Sequence, residues 1–434
     1  MTTLNFAQRI SRLGTENAFK IGSDIRKCES EGKKVIRLNL GEPDFSSAEA
    51  INRVAKREID KGNSHYCDPQ GLPPFRQVIA DQLKRTRRID TDPERVVVTT
   101  GAKPPIAYTM LTYVHIGEEV IYPSPGFPIY ESWVTFVGAV PKPLHLKEEK
   151  GFRFTAEDLE PLISKHTKVI IINSPSNPTG GVLTRQDLAE IAEVIKAKGS
   201  DDLRIYSDEV YEEILFDGMK HESIASLPGM AERTIIVSGH SKTYAMTGWR
   251  LGYALLPTDR ETEIFKHFNI NFMSCTPPFI QMAGMEALTS PELPPIVEKQ
   301  RKAFEDRRNV VVKLLNAIDG VSCAMPKGAF YVFPNIGRVC ERLGILEDFE
   351  SIPSKERTAS CPSAMFQLFL LYEHGVATMD RNSFGSIGAE GLHFLRLSTA
   401  TDMDSLKEGV RRLDVASRDK EGWKRFLGSG IFSK

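Results

Sequence analysis

The feature that most constrains the fold is a regular alternation of short β-branched runs with helix-length amphipathic stretches. The runs read R-V-V-V-T-T from Arg95, E-V-I-Y from Glu119, K-V-I-I-I-N from Lys168, L-R-I-Y-S from Leu203, T-I-I-V-S from Thr234 and L-G-Y-A-L-L from Leu251. Continuous apolar strands separated by helices are typical of a parallel sheet with helices on both faces. The pattern therefore predicts an α/β protein.

The chain changes character after about residue 261. A helical stretch from Pro278 to Ile318 precedes short strand-like runs at 321–324 and 329–333, a helix near 363–374, a strand at 392–397 and a last helix after Asp402. This order predicts a smaller α+β unit, which the helix after Gly14 and the strand from Val35 would join. We expect an N-terminal segment (1–45) that contributes to the small domain, a large domain (46–320) and a small C-terminal domain (321–434).

The composition argues against nucleic acids and membranes as partners. Among 434 residues, 56 are Lys or Arg and 57 are Asp or Glu, which gives a net charge of −1. No apolar run approaches the ~18 residues of a membrane span, and the first residues do not resemble a signal peptide. The six cysteines lie far apart and do not have metal-ligand spacing. We therefore expect reduced thiols, no metal, a cytoplasmic protein and a small-molecule ligand.

In an open parallel sheet, ligands bind beyond the carboxyl ends of the strands, so the residues that follow each strand are the candidates. Gly101 follows V-V-V-T-T, and Pro104 and Pro105 fall in the first turn of the next helix, where a missing N–H costs nothing. The amides of Gly101, Ala102 and Lys103 would then suit an anion such as phosphate. Taken alone this signal is weak, since many strand-to-helix turns contain glycine.

Two further strand ends have polar side chains. Asn177 lies in N-S-P-S-N-P-T-G-G, a segment that predicts a rigid turn. Its amide could serve a ligand or only a structural Asx-turn. Asp208 follows L-R-I-Y-S, and Tyr211 lies one helical turn later, so the carboxylate and the phenol could face the same place. An acidic residue at a helix start can also be only a cap.

A fourth strand end has a lysine without acidic neighbours in sequence. Lys242 lies in S-K-T-Y-A-M-T-G-W-R, after T-I-I-V-S-G, with Arg250 eight positions later. A lysine in a partly dry pocket has a lowered pKa and becomes a nucleophile toward carbonyls. Pyridoxal phosphate (PLP) has four polar groups that each need a partner: an aldehyde, a pyridine nitrogen, a 3-oxygen and a phosphate. The strand ends offer an amine, a carboxylate, a phenol, an amide and a phosphate site with an arginine, and together these groups match PLP. The residues therefore predict a PLP site.

The motifs also resemble those of a known family. In chain order they are N-L-G-E-P-D-F, H-Y-C-D-P-Q-G-L-P-P-F-R, T-G-A-K, P-G-F-P-I-Y, N-S-P-S-N-P-T-G, S-D-E-V-Y, S-K-T-Y-A-M-T-G-W-R-L-G-Y and F-L-R-L-S. Their order and spacing resemble those of the class I/II aminotransferases of PLP fold type I, the aspartate aminotransferase family. The resemblance covers about residues 39 to 400. It implies a large PLP-binding domain with a mainly parallel seven-stranded sheet between helices, a smaller α+β domain, and a role in amino acid metabolism, in a biosynthetic process.

The resemblance also implies roles for the residues around the PLP ring. Lys242 would bind the cofactor through its amine and, once released by substrate, move the proton of the substrate. Asp208 would hold the pyridine nitrogen protonated, and Tyr211 and Asn177 would bond to the 3-oxygen. Phe127 would stack on the ring, although it could also be an ordinary core aromatic residue.

For the phosphate, the resemblance implies Arg250 together with the amides of residues 101–103. Many family members have serine three residues before the lysine, where this chain has Gly239. We expect the missing contact to come from Ser238 or Ser241, and we include Ser241 among the predicted cofactor residues.

The remaining implied contacts involve the substrate and a second subunit. Arg396 would bind the substrate α-carboxylate in a bidentate way, with help from the Gly41 amide and Asn177. Tyr66 would reach the phosphate of the neighbouring subunit, which implies a homodimer with shared active sites.

Two segments depart from the pattern of the family. The loop commonly written V-P-G-S-x-F-G reads M-D-R-N-S-F-G here, which places Asp380 and Arg381 near where family members close over substrate. The segment Gly337–Pro362 is longer than usual and includes E-D-F-E and K-E-R, so we expect a solvated insertion.

The predicted function is ping-pong transfer of an amino group from an L-amino acid to a 2-oxo acid. The alternative is another reaction of the same fold, by a lyase, synthase or amino acid oxidase. A cofactor sensor fused to a DNA-binding module would need an extra helix-turn-helix segment, for which we expect no room. A nucleotide site at V-S-G-H-S-K-T lacks the required glycines. Aspartate, alanine, glutamate and aromatic donors all stay open, with 2-oxoglutarate as the default acceptor.

Overall fold

The computed structural model describes residues 5–354 and 360–432. Its strands are β1 (Ile36–Arg37), β2 (Val96–Thr99), β3 (Glu119–Ser124), β4 (Val140–His145), β5 (Thr167–Asn173), β6 (Arg204–Asp208), β7 (Thr234–Gly239), β8 (Gly252–Leu255), β9 (Tyr331–Val332), β10 (Val376–Ala377), β11 (Met379–Asp380) and β12 (Leu395–Ser398).

The helices are α1 (Asn17–Lys20), α2 (Gly22–Ser30), α3 (Glu49–Asp60), α4 (Pro73–Arg87), α5 (Pro104–Tyr113), α6 (Pro128–Phe136), α7 (Ala156–Leu159), α8 (Arg185–Lys198), α9 (Asp259–Met273), α10 (Pro278–Thr289), α11 (Leu293–Leu315), α12 (Gly337–Leu343), α13 (Ile345–Ser351), α14 (Pro362–Tyr372), α15 (Met403–Ala416) and α16 (Lys420–Leu427). Short 3₁₀ helices cover Gln8–Arg12, Pro93–Arg95, Glu148–Lys150, Glu160–Leu162, Ile224–Ser226, Ala231–Arg233, Thr247–Trp249 and Arg381–Phe384.

A seven-stranded sheet has the order β2-β8-β7-β6-β5-β3-β4. β8 runs antiparallel to both of its neighbours, and the other adjacent strands are parallel. The predicted α/β fold with a mainly parallel sheet is therefore confirmed.

The sequence pattern missed one strand of this sheet, β4. It reads V-P-K-P-L-H, so its two prolines interrupt the β-branched signal. Proline cannot donate to a hydrogen-bonded ladder and is found on edge strands. β4 lies at the edge of the sheet, where it pairs only with β3.

Successive residues of the central strands alternate between two apolar layers. On β5, Val169 and Ile171 pack with side chains of α5 and α6. Ile170 and Ile172 point to the opposite face and pack with side chains of α8. Because both faces are buried, these strands are continuously apolar instead of alternating with polar residues.

Two small sheets lie outside the large one, and the first of them combines elements from both ends of the chain. β1 pairs in parallel with β10, and β11, β12 and β9 form an antiparallel sheet. The strand near Val35 therefore joins the C-terminal elements, while the domain boundaries at 45/46 and 320/321 stay a prediction. The run at 321–324 forms only an isolated bridge, between Ser322 and Asn335.

The helical stretch from Pro278 to Ile318 is two helices, α10 and α11. Ser290 ends α10 in an extended conformation, with a ψ of 130°. The residue before a proline disfavours the helical region, and Pro291 follows Ser290.

The segment at 337–351 is not the solvated insertion that we expected. Val339, Cys340, Leu343 and Ile345 of α12 and α13 are buried, and both helices contact α14. These apolar residues recur on one side of the helices, so they cover part of the core. The K-E-R part of this insertion, at 355–357, lies outside the described residues.

Gly252 on β8 approaches the turn after β2 so closely that no side chain fits. A Cβ there would lie 2.6 Å from the Gly101 carbonyl carbon and 2.7 Å from the Ala102 nitrogen. Because both atoms belong to the backbone, we expect Gly252→Ala to cost about 1–3 kcal/mol of stability through overpacking and to lower Tm.

Gly248→Ala is the matched control, because a Cβ at Gly248 would have nothing within 4 Å. Differential scanning calorimetry of both apoproteins checks the prediction. Equal Tm values for the two variants would contradict the close approach.

Candidate active site

A cavity of ≈ 450 Å³ lies at the carboxyl ends of β2, β5, β6 and β7. This volume lies in the range of small-molecule sites. The predicted residues that line it are Gly41, Ala102, Lys103, Phe127, Asn177, Asp208, Tyr211, Ser241, Lys242, Arg250 and Arg396. The other two predicted residues, Gly101 and Tyr66, do not line it.

The Lys242 amine is held in a half-buried position between two segments of the chain. Its Nζ donates to the Gly41 carbonyl oxygen at 2.7 Å and lies 6.0 Å from the centre of the Tyr211 ring. Burial and, to a smaller extent, the Arg396 charge lower the pKa of Lys242 to about 8, while Glu16 opposes this effect. The lowered pKa increases the neutral fraction of the amine, which is the form that acts as a nucleophile.

Asp208 is buried at the end of β6 and is hydrogen-bonded by a residue that the sequence analysis missed. Tyr130 donates its hydroxyl proton to Asp208 Oδ2 at 2.5 Å. Burial raises the pKa of Asp208 to about 6, and the bond from Tyr130 limits the rise. The spacing of Tyr130, one helical turn after Phe127 at the start of α6, was a signal that could have revealed it.

Asn173, the last residue of β5, links the two polar strand ends. Its Nδ2 donates to the Asp208 carbonyl oxygen at 3.3 Å, and its Oδ1 accepts from the Asn177 amide at 2.9 Å. The rigid turn predicted at Asn177 is therefore fixed to β6 by the buried side chain of Asn173, the first residue of the motif N-S-P-S-N-P-T-G-G, to which the sequence analysis assigned no role.

Arg396 lies between two aromatic rings on the opposite wall. Its guanidinium carbon is 4.6 Å from the centre of the Tyr331 ring and 4.9 Å from that of Phe384. Nη1 donates to Asn177 Oδ1 at 3.2 Å, and Nη2 donates to the Asn39 carbonyl oxygen. Among the described residues nothing accepts from its buried Nε. A buried guanidinium with an unmatched N–H suits a carboxylate.

Tyr331 is a second aromatic residue that sequence reasoning missed. Its hydroxyl lies 2.8 Å from the Tyr211 hydroxyl, so it connects the predicted cofactor phenol to Arg396. Tyr331 and Phe384 lie on short elements far from the large sheet in sequence. No local pattern pointed to either of them.

The turn after β2 forms the predicted anion cradle with one change. Gly101 has a φ of 88°, and a Cβ there would lie 2.4 Å from Arg250 Nη2. The Gly101 amide donates to the Thr99 carbonyl oxygen at 2.8 Å, so it is not directed at an anion. The cradle therefore reduces to Ala102, Lys103 and the N-terminus of α5, beside the Arg250 guanidinium.

The structure distinguishes the two serines near Gly239. Ser241 lines the cavity, whereas Ser238 Oγ donates to Glu212 Oε1 at 2.9 Å on the other side of the strand end. Ser241 is therefore placed to supply the contact that Gly239 lacks.

The residues present fit PLP. The cavity combines a half-buried amine, a buried carboxylate, a phenol and a cation beside a helix N-terminus, and these match the four polar groups of the cofactor. The unmatched Arg396 Nε leaves a site for a substrate carboxylate. Within the described ranges, no cluster of His, Cys, Asp and Glu could hold a metal ion, and no helix has the length and apolar character to cross a membrane.

Three positions that the sequence analysis singled out, Tyr66, Asp380 and Arg381, do not line the cavity. Tyr66 is 88% exposed and does not line the cavity of its own chain. Arg381 is fully buried away from the cavity, where it donates to the Gly385 carbonyl oxygen at 2.7 Å and to Ser124 Oγ at 3.0 Å. Asp380 is also buried, and neither charged side chain lines the cavity, although Met379 and Phe384 of the same loop do. Both are used to hold the loop.

Comparisons with known proteins agree with this geometry. The family described as "Aminotransferase class I and II" matches residues 33–413. The chain is 39% identical over 403 residues to the aspartate aminotransferase of Pyrococcus abyssi, covering 92% of this chain and 96% of the relative. It is 38% identical, with the same coverage, to aromatic-amino-acid aminotransferase 2 of Thermococcus litoralis. The crystal structure of the aspartate aminotransferase from Rhizobium meliloti is similar, with a TM-score of 0.85 and 32% identity over 96% of this chain and 99% of that one.

Removing the Tyr130 hydroxyl should shift the pH dependence of cofactor binding. An ionised Asp208 is needed to hold a protonated pyridine nitrogen, so we expect PLP affinity of the apoprotein to fall as the pH drops through the Asp208 pKa of about 6. Tyr130→Phe removes a bond that lowers this pKa, so the loss of affinity should begin at higher pH, by about one unit.

Absorbance titrations of apoprotein with PLP between about pH 5 and about pH 8 measure this shift. Tyr122→Phe is the control, because the Tyr122 hydroxyl donates to Glu131 instead of Asp208. Identical profiles for the two variants would contradict the role of Tyr130.

Proposed function

Because the chain belongs to the class I and II aminotransferases and is a PLP-dependent enzyme of amino-group transfer, we propose that the cavity residues act in the following roles. The observation that carries the proposal is the meeting of the Lys242 amine, the Asp208 carboxylate and the Arg396 guanidinium in one cavity. Bound PLP supplies an aldehyde that exchanges the amino group and a ring that accepts the electron pair of the substrate Cα–H bond.

Lys242 is the base and the point of covalent attachment. Its Nζ would hold the cofactor at the aldehyde carbon, C4′. As a free amine in the presence of substrate, it would move a proton between the substrate Cα and C4′. Its lowered pKa supports this role, because a lysine that is fully protonated at neutral pH could not accept a proton.

Asp208, Tyr211 and Asn177 hold the ring. The Asp208 carboxylate stabilises a proton on the pyridine nitrogen, which increases the capacity of the ring to accept electrons. Tyr211 and Asn177 donate to the 3-oxygen, and Phe127 packs against the ring face. The support is positional, because all four side chains line the same cavity.

Arg250, Ser241 and the amides at the start of α5 bind the phosphate. Arg396 binds the α-carboxylate of the substrate, with Gly41 and Asn177 beside it. The buried, unmatched Nε of Arg396 supports this role, since leaving a buried N–H without a partner costs free energy that a bound carboxylate would recover.

We further propose a homodimer in which Tyr66 binds the phosphate in the partner subunit's site. Its 88% exposure in the single chain supports this, because a large aromatic ring is seldom left in water. Phe272 and Ile270 of α9 are also exposed, at 62% and 45%, and provide an apolar face for such a contact.

The compartment and the metabolic role are also part of the proposal. All six cysteines are unpaired, which is typical of proteins from a reducing compartment and supports the cytoplasm. Exchange of an amino group between an L-amino acid and a 2-oxo acid such as 2-oxoglutarate places the enzyme in amino acid metabolism, and we propose a biosynthetic process.

The half-reaction should occur with the amino donor alone. Adding a single L-amino acid to the PLP-loaded protein should convert the visible absorption band to the near-ultraviolet band of pyridoxamine phosphate, with release of one equivalent of 2-oxo acid. Absorbance and mass spectrometry measure both products. Release of ammonia without pyridoxamine phosphate would contradict aminotransfer and favour a lyase, synthase or oxidase.

Subunit mixing tests the shared site. Tyr66→Ala and Lys242→Ala chains should each have little activity alone, because each lacks one part of every site. Co-expressed at equal levels, they should recover about a quarter of wild-type activity, since half of the dimers are mixed and each mixed dimer has one intact site. Activity of the mixture no higher than that of the single variants would contradict sharing.

A further inference from the structure

An acidic side chain from the N-terminal segment borders the active-site cavity. Glu16 lines the cavity together with Lys103 and Phe127. The Glu16 carboxylate forms an ion pair with the Lys103 ammonium, and the side chain of Glu16 is only 15% exposed. The two residues are 87 positions apart, so the pair is a tertiary contact formed by the fold.

The segment that includes Glu16 is held on both sides. Thr135 Oγ1 on α6 donates to the Arg12 carbonyl oxygen at 3.1 Å. Asn17 Nδ2 donates to Ser383 Oγ at 3.0 Å, in the 3₁₀ helix after β11. Contacts with α6 and with the 3₁₀ helix after β11 therefore hold the chain on both sides of Glu16.

Glu16 lines the same cavity as Lys242 and Arg396, and its charge acts on both of them. Burial lowers the pKa of Lys242 to about 8 and lowers that of Arg396, and Glu16 opposes burial at both by favouring the charged forms. An effect of this kind requires that the carboxylate lie within electrostatic reach of both cations. A substrate bound between Lys242 and Arg396 would thus be exposed to the field of Glu16.

Each basic side chain that lines the described part of the cavity already has a role or an acidic partner, so we find none assigned to bind an acidic side chain of a substrate. Four basic side chains line the described part of the cavity, and Lys242, Arg250 and Arg396 have roles in the proposed function. The fourth is Lys103, which Glu16 neutralises. Much of the remaining wall is apolar: Ala18, Leu40, Ile106, Phe127, Met379 and Phe384.

We propose that Glu16 is a specificity residue, which makes the site select amino donors with neutral apolar or aromatic side chains over donors with a side-chain carboxylate. This inference rests on the proposed function. An acidic side chain would have to displace Glu16 from Lys103 or lie beside it, and like charges repel strongly in a partly dry cavity. A neutral side chain would contact the apolar wall and leave the ion pair intact.

The test compares L-aspartate with L-phenylalanine at one fixed acceptor, 2-oxoglutarate, in the PLP-loaded enzyme. We expect wild-type kcat/KM to be higher for phenylalanine. Glu16→Gln should increase the aspartate-to-phenylalanine ratio of kcat/KM by about tenfold or more, since it removes the repulsion between the Glu16 carboxylate and the side chain of aspartate. Lys103→Met should decrease the ratio, and the double variant should lie between the two single variants.

Two controls separate the charge of Glu16 from general effects. Glu149→Gln makes the same chemical change on an exposed residue outside the cavity and should leave the ratio unchanged. Competitive inhibition by the non-reactive acids succinate and 3-phenylpropanoate measures binding without turnover. Glu16→Gln should strengthen inhibition by succinate about tenfold and leave 3-phenylpropanoate nearly unchanged.

The outcomes distinguish this inference from the proposed function. If Glu16→Gln transaminates both substrates with an unchanged ratio, or if the wild type prefers aspartate, the specificity role is wrong and aminotransfer stands. If the wild type converts no amino acid, the proposed function is overturned, and this inference with it.

Discussion

Parallel strands end at one edge of a sheet, and the rest of the site depends on this constraint. It brings the residues after β2, β5, β6 and β7 together although they are separated by long stretches of sequence. The helices that cover both faces keep that edge buried, and the burial lowers the pKa of Lys242 while raising that of Asp208. The architecture therefore sets the chemistry of the site before any ligand is bound.

The site keeps charges that the isolated chain does not fully compensate. The buried Arg396 guanidinium disfavours the charge of Lys242, and the Arg396 Nε has no acceptor among the described residues. Burying a charge costs free energy unless it is paired. A phosphate and a substrate carboxylate would supply the missing negative charges, so the site is a place where stability is given up for binding.

The sequence was sufficient where the signal was local. The β-branched runs predicted the sheet. Because ligands bind beyond the carboxyl ends of parallel strands, the sequence also predicted that Asp208, Asn177 and Lys242 lie close together. Local patterns failed where geometry came from distant packing, as for Tyr331, Phe384 and Glu16, which reach the cavity from short elements. Two local signals were also misleading. The prolines of β4 concealed an edge strand, and the Gly101 amide donates a hydrogen bond within its own turn and not to an anion. The burial of Arg381 could not be predicted from the sequence, because it depends on a contact with Ser124, 257 positions away.

The central claim is that Lys242 is the lysine that binds the cofactor. The cavity offers a second lysine, Lys103, so the claim can fail in a specific way. The direct measurement is borohydride reduction of the PLP-loaded protein, followed by proteolysis and mass spectrometric mapping of the modified peptide. The account predicts a single pyridoxyl group on Lys242. A pyridoxyl group on Lys103, or no modified lysine in a protein that has bound PLP, would contradict it.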